Sequence, residues 1–189
     1  MFDKKFTELL GKKVLIIGEV GAGKTKLTLR LLTEGVNLGY AQDITLIDMA
    51  PATVMRRGRK VGGKIREFTD AVKKIRYLTP AKIETPRLSA RSAGELLELV
   101  RINKERIDPF LDTYIKEPTK ILFINDVSIY FQSGTYDNVL SAVMKANTLI
   151  ANGYYGKFFA FDYGTGVSAR ERELMDKFAE KMDIVIKLD

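Results

Sequence analysis

At 189 residues, with 46% hydrophobic content and a formal net charge of +7, the chain is long enough for one α/β domain over 1–189 and too short to demand two. It contains neither cysteine nor histidine, which removes disulfides, thiolate chemistry, Ser-His-Asp triads and ordinary zinc sites, and leaves carboxylates, hydroxyls, lysine, arginine and hard metal ions. Its longest apolar runs, such as 14–17 and 121–124, fall far short of the roughly 20 residues that span a bilayer. With no secretory-signal pattern at the start, a cytoplasmic location without membrane contact is the expectation.

Short β-branched runs alternate with amphipathic segments along the chain. This predicts a mainly parallel sheet in a three-layer αβα sandwich. A first strand at 13–17 enters a glycine-rich loop and then a helix over 24–33, with Leu27, Leu31 and Leu32 on one face and a stop at Gly35. A second strand, 44–48, ends on Asp48. The segment 51–66 has no apolar period and is broken by Gly58, Gly62 and Gly63, which predicts a flexible basic loop able to close over a ligand. Next come a strand at 75–79 and a helix that opens after Ser89 or Ser92, runs through Leu96, Leu97, Val100 and Ile107, and is bent or interrupted at Pro109. A strand at 121–126, a helix at 137–150 and a strand at 157–162 follow. The chain closes with a helix at 168–182, opened by a Ser168/Glu171 capping box, and a strand at 183–187.

Charge is unevenly spread. Residues 56–106 hold fifteen Lys or Arg against six Asp or Glu, a net of +9, so the rest of the chain sums to −2. Such a segment either binds a polyanion, nucleic acid included, or forms the solvated face of helices.

The most specific feature is Gly18-Glu19-Val20-Gly21-Ala22-Gly23-Lys24-Thr25, which fits G-x-x-x-x-G-K-[ST] in full and lies between an apolar strand and a helix. The glycines let successive backbone N–H groups turn inward, and the helix N-terminus adds its positive dipole end, so the loop suits a polyphosphate. Phosphate contacts are expected from Gly18, Glu19, Val20, Gly21, Ala22, Gly23, Lys24, Thr25 and Lys26. On these residues the sequence resembles the P-loop NTPase superfamily, including its RecA-like ATPase branch. The resemblance implies a P-loop NTPase fold, ATP or GTP with Mg²⁺, Lys24 on the β and γ phosphates, and the Thr25 hydroxyl on the metal.

The same resemblance implies a second acidic motif at the end of a later strand, and Lys120-Ile121-Leu122-Phe123-Ile124-Asn125-Asp126 is the match. Asp126 is therefore the candidate for the metal, at the carboxyl end of its strand, where ligands of open α/β sheets bind. RecA-like members often place Asp then Glu here; this chain has Asn125-Asp126. Either Asp126 holds the metal and Val127 stands where the base belongs, or Asn125 is a weakened metal contact and Asp126 is the base. Both alignments imply slow hydrolysis. Asp48 is a further candidate, either for orienting water or as a turn cap. It looks like the acid of ATPases related to the division-site regulators, although Glu19 stands where those carry an extra lysine.

Arg170 and Arg172 are candidates to sense the γ-phosphate, against the more usual solvated role. Tyr130-Phe131 and Tyr154-Tyr155 either stack on a base or pack. The guanine-reading Asn-Lys-x-Asp is missing, since Asn103-Lys104-Glu105 ends in Arg106, and adenine is the expected base. Three functions remain open: a slow Mg²⁺-dependent ATPase, a phosphoryl or adenosyl transferase similar in size and strand order to the corrinoid adenosyltransferases, and a nucleotide-gated module that binds nucleic acid or protein through 56–106.

Overall fold

The computed structural model describes residues 4–56 and 58–189. In chain order its elements are β1 Lys13–Gly18, α1 Lys24–Asn37, β2 Ile44–Asp48, β3 Val54–Arg56, β4 Arg59–Val61, β5 Arg76–Leu78, α2 Pro86–Ser89, α3 Ala93–Lys116, β6 Ile121–Asn125, α4 Val127–Phe131, α5 Tyr136–Lys145, β7 Thr148–Tyr154, α6 Val167–Ala179 and β8 Ile184–Leu188. Six strands form one sheet in the order β5-β2-β6-β7-β1-β8, and every pairing in it is parallel. Strands β3 and β4 pair separately as an antiparallel hairpin.

Alternation along the strands sorts the core into two layers, because successive side chains leave opposite faces of a sheet. Val14, Ile16, Leu46, Ile121, Phe123 and Ile150 pack with Phe6, Leu31, Leu32 and Val36 on the α1 side. Leu15, Ile17, Ile47, Leu122, Ile124, Leu149 and Ala151 face the layer carrying α3, α4, α5 and α6, where Leu111, Phe131, Val139 and Phe178 meet them. The chain is thus an α/β protein with helices on both faces of a parallel sheet. Among the described residues no helix is long and apolar enough to cross a membrane.

Several expectations need correction. Helix α1 does not stop at Gly35 but runs to Asn37, and the left-handed residue that ends it is Gly39, with φ 91°. Gly35 is needed for close packing instead, since a Cβ there would lie 2.9 Å from Cζ of Phe6. Pro109 sits inside α3 without ending it. A proline forfeits one backbone bond, and burial of Ile107, Leu111 and Tyr114 along the inner face holds the helix through it.

The expected helix over 137–150 ends at Lys145, and 148–154 is a central strand between β6 and β1. The expected strand at 157–162 is an irregular loop; its run of aromatic residues imitates strand composition. Helix α6 has Gly166 as its N-cap, and the Asp162 carboxylate accepts the Ser168 N–H at 2.9 Å, so the Ser168/Glu171 capping box does not form. Within 51–66, expected as a flexible basic loop, lie the β3–β4 hairpin and the buried residues Lys64 and Ile65.

Candidate functional site

Parallel strand order places the ends of β1, β2, β6 and β7 along one edge, and their following loops build a single cleft there. Its lining includes Val20, Gly21, Gly23, Lys24, Thr25, Lys26, Lys60, Asn125, Asp126 and Tyr154, around a cavity of about 210 Å³.

Gly21 and Gly23 take φ of 84° and 92°, in the left-handed region that other residues resist, and this curls the backbone between β1 and α1. The Lys24 ammonium lies inside the curl, donating to the carbonyls of Gly18 at 2.9 Å and Glu19 at 2.7 Å. Burial lowers its pKa below the usual lysine value, while Asp126 and Glu19 pull it back up. Lysine normally titrates near ~10.4.

Asp126 follows β6 with φ 62° and ψ 54°, a strained conformation for a non-glycine residue. Its backbone N–H donates to Asn152 Oδ1 at 3.0 Å, and the Ser128 hydroxyl donates to its carboxylate at 2.8 Å. Burial raises its pKa, opposed by the Ser128 hydrogen bond and by Lys24 and Arg87. A cation or phosphate-bound metal in the cleft would favour the ionised form.

Asp48 lies elsewhere. It is fully buried beneath the cleft floor. One oxygen accepts from Asn125 Nδ2 at 2.8 Å and Ala50 N at 3.3 Å, the other from Ile65 N and the Tyr77 hydroxyl at 2.7 Å each. A carboxylate so enclosed does not reach a water in the cleft; its geometry is that of an anchor for the chain after β2. Burial raises its pKa against these hydrogen bonds.

Asn125 completes a relay across the strand ends. Asn152 Nδ2 donates to Thr28 Oγ1 and to Asn125 Oδ1, both at 2.8 Å, and Asn125 Nδ2 also reaches the Gly63 carbonyl at 3.1 Å. Thr28 in turn donates to the Lys24 carbonyl at 3.1 Å. Buried amides need such partners on every side, which is why asparagine rather than a second acid fits at 125.

The Glu19 side chain points away from the phosphate cradle. Its carboxylate accepts the N–H groups of Val20, Lys157 and Phe158, binding the loop after β7 to the glycine-rich loop. Burial opposes its ionisation, but these three bonds and Lys24 leave its pKa lowered. A Cβ at Gly156 would lie 2.3 Å from this carboxylate, so a larger residue there would displace the Glu19 side chain.

Arg170 and Arg172 are engaged outside the cleft. Arg170 donates to the Gly134 carbonyl at 2.8 Å, and Arg172 donates to the Gly156 carbonyl at 2.7 Å while lying 3.6 Å over the Tyr155 ring. Tyr130 and Phe131 are core residues. Arg87, which no motif singled out, shares a cavity with Asp126. It pairs with Glu171 at 2.6 Å with both side chains buried, and lies 4.8 Å from the Phe159 ring centroid. Arg87 lines a smaller cavity next to the main cleft, which it shares with Thr85, Asp126, Ser128 and Gln132. Burial raises the Glu171 pKa to about 7 although Arg87 lowers it, and Asp126 adds to the rise.

No protein-family model matches the sequence, and no curated protein does. Among solved structures, the flagellar accessory protein FlaH from Methanocaldococcus jannaschii is 11% identical, with 94% of this chain and 71% of that chain covered at a TM-score of 0.49. The Pif1 helicase from Candida albicans is 14% identical, with 100% of this chain and 40% of that chain covered at a TM-score of 0.42. At these scores neither likeness says what this chain binds.

Proposed function

We propose that the chain is a Mg²⁺-dependent ATP-binding protein with slow ATPase activity. The observation that carries this reading is that Lys24, Thr25 and Asp126 line one cleft whose backbone is curled by Gly21 and Gly23. The donor set suits a hard cation shared with phosphates: one hydroxyl and one carboxylate, with the remaining ligands from phosphate and water. Mg²⁺, when bound, supplies charge neutralisation at the phosphate oxygens.

The chain's own groups account for the rest. Loop N–H groups and the start of α1 bind the polyphosphate, and the Lys24 ammonium exchanges two backbone carbonyls for phosphate oxygens. Thr25 and Asp126 are the residues that would hold the metal. Asn125, committed to Asp48, Gly63 and Asn152, positions Asp126 without taking part in chemistry. Among the described residues that line the cleft, Asp126 is the sole carboxylate. One acid cannot both hold a cation and abstract a proton efficiently, and slow hydrolysis follows.

Phosphate release from ATP tests this. Turnover is expected well below ~1 s⁻¹, the low end of ordinary enzymes. Asp126→Asn is expected to lower it by about tenfold or more, with a higher Mg²⁺ requirement. Release that is unchanged in Asp126→Asn, or indifferent to chelation of Mg²⁺, would remove the proposal.

A further inference from the structure

The loop after β7 reads Tyr154-Tyr155-Gly156-Lys157-Phe158-Phe159-Ala160-Phe161-Asp162-Tyr163, six aromatic residues in ten, where the whole chain has eighteen. Phe158 and Phe159 meet edge to face at 5.0 Å, and Phe161 and Tyr163 at 4.7 Å. The second pair is not core: Phe161 is 69% exposed and Tyr163 37%. Yet it is held firmly. Tyr163 takes φ 58°, its hydroxyl donates to the Ala90 carbonyl at 2.8 Å, and the Asp162 carboxylate between the rings is occupied by the N–H groups of Gly164 and Ser168. Backbone strain kept in order to present apolar rings to water points to a use for them.

Beside this loop stands the β3–β4 hairpin, with Met55 61% exposed. Arg56, Arg87, Leu88, Phe158, Phe159 and Phe161 line a groove joining the two segments, and Arg56 donates to the Leu88 carbonyl at 3.3 Å. Residues 56–66 contain six Lys or Arg and no Asp or Glu.

The cations of the basic region are not alike. On α3, Arg101 pairs with Glu98 and Glu105, Lys104 with Asp108, and Arg106 with Glu84, so these three are internally neutralised. Arg56, Lys60 and Arg91 of that region, and Lys157 within the aromatic loop, take part in none of the ion pairs among the described residues.

We propose that the aromatic loop 154–163 and the β3–β4 hairpin form a platform for single-stranded nucleic acid, with bases stacked on Phe161 and Tyr163 and phosphates held by Arg56, Lys60, Arg91 and Lys157. Exposed rings with a cationic rim match a polyanion that offers free base faces; a duplex hides those faces, and an acidic peptide has none. Recognition is sequence-tolerant, because every base has a face to stack. The platform does not require a nucleotide in the cleft, so it is tested without one.

The test is fluorescence anisotropy of a labelled oligothymidylate of about 20 nucleotides with nucleotide-free protein, between about 50 and 200 mM NaCl. Wild type is expected to bind and to lose affinity steeply with salt. Phe161→Ala is expected to weaken binding about tenfold at fixed salt without changing the salt slope, and Phe161→Trp to restore it. Arg56→Ala and Lys60→Ala are each expected to make the slope shallower by about one. Absence of binding at low salt overturns the proposal. So does equal binding by wild type and Phe161→Ala, or a duplex of the same length binding as tightly as the single strand.

Discussion

Lys24→Ala is expected to weaken ATP binding by at least about 100-fold, and to take phosphate release to background. The Lys24 ammonium donates to two loop carbonyls, so it lies inside the curl that a polyphosphate would enter. Each hydrogen bond to a charged group contributes roughly 1.5–3 kcal/mol. Two phosphate contacts therefore correspond to about two to four decades of affinity, at ~1.4 kcal/mol per decade. Lys24→Arg is not expected to rescue, because a planar guanidinium does not fit a curl sized for an ammonium. Calorimetric titration of the variant with ATP and Mg²⁺ checks the affinity. Urea unfolding alongside it shows whether the fold survives the loss of the two hydrogen bonds from the Lys24 ammonium to the loop.

The other large effect concerns Arg87 and Glu171, a buried pair on α2 and α6 that ties the aromatic loop to the helices behind it. Removing one partner of such a pair typically costs ~3–5 kcal/mol, since the remaining charge is left buried and uncompensated. Arg87→Met is therefore expected to lose that much stability at about pH 8, and to regain a good part of it at about pH 5, where Glu171 takes up a proton.

The sign follows from Glu171, whose folded pKa of about 7 lies above the ordinary 4.5. Between these values the folded chain keeps a proton that the unfolded chain has released, so this group's contribution to stability is greatest below pH 4.5 and falls as pH rises towards 7. A shift of that size corresponds to about 3 kcal/mol across the window. In Arg87→Met the opposing cation is gone, so the folded pKa rises further and the loss of stability extends to higher pH. Glu171→Gln is expected to flatten it while leaving Arg87 unpaired and the chain less stable than wild type. The double variant Arg87→Met, Glu171→Gln is expected to be more stable at about pH 8 than either single one. Urea midpoints as a function of pH distinguish these cases.

The parts legible from sequence were those where local pattern and tertiary context agree. Residues 13–25 carry a strand, left-handed glycines and a helix start in immediate succession, and 44–48 and 121–125 are apolar runs of strand length. The misreadings lie where one composition serves two structures. Leu149 and Ile150 continue the apolar spacing of α5, and only pairing between β6 and β1 makes them strand. Aromatic residues at 158–163 resemble a strand, but no neighbour offers them a ladder.

The site shows the same division. The acid at 126 was visible as the end of an apolar run, and the rank of Asp48 was not, because its enclosure depends on Ile65 and Tyr77, distant in sequence. The Arg87–Glu171 pair spans the chain from α2 to α6 and has no local signature at all. Arg170 and Arg172, close to the right place by numbering, are turned towards backbone carbonyls and Tyr155 by the geometry of α6.

Calorimetric titration of the wild-type chain with ATP, once in millimolar Mg²⁺ and once with excess chelator, bears most directly on the phosphate cradle at Lys24, Thr25 and Asp126. The expected result is saturable binding of one ATP per chain with Mg²⁺ and at least about tenfold weaker binding without it. No heat with either ATP or GTP in Mg²⁺, at protein concentrations where the fold is intact, would contradict the account.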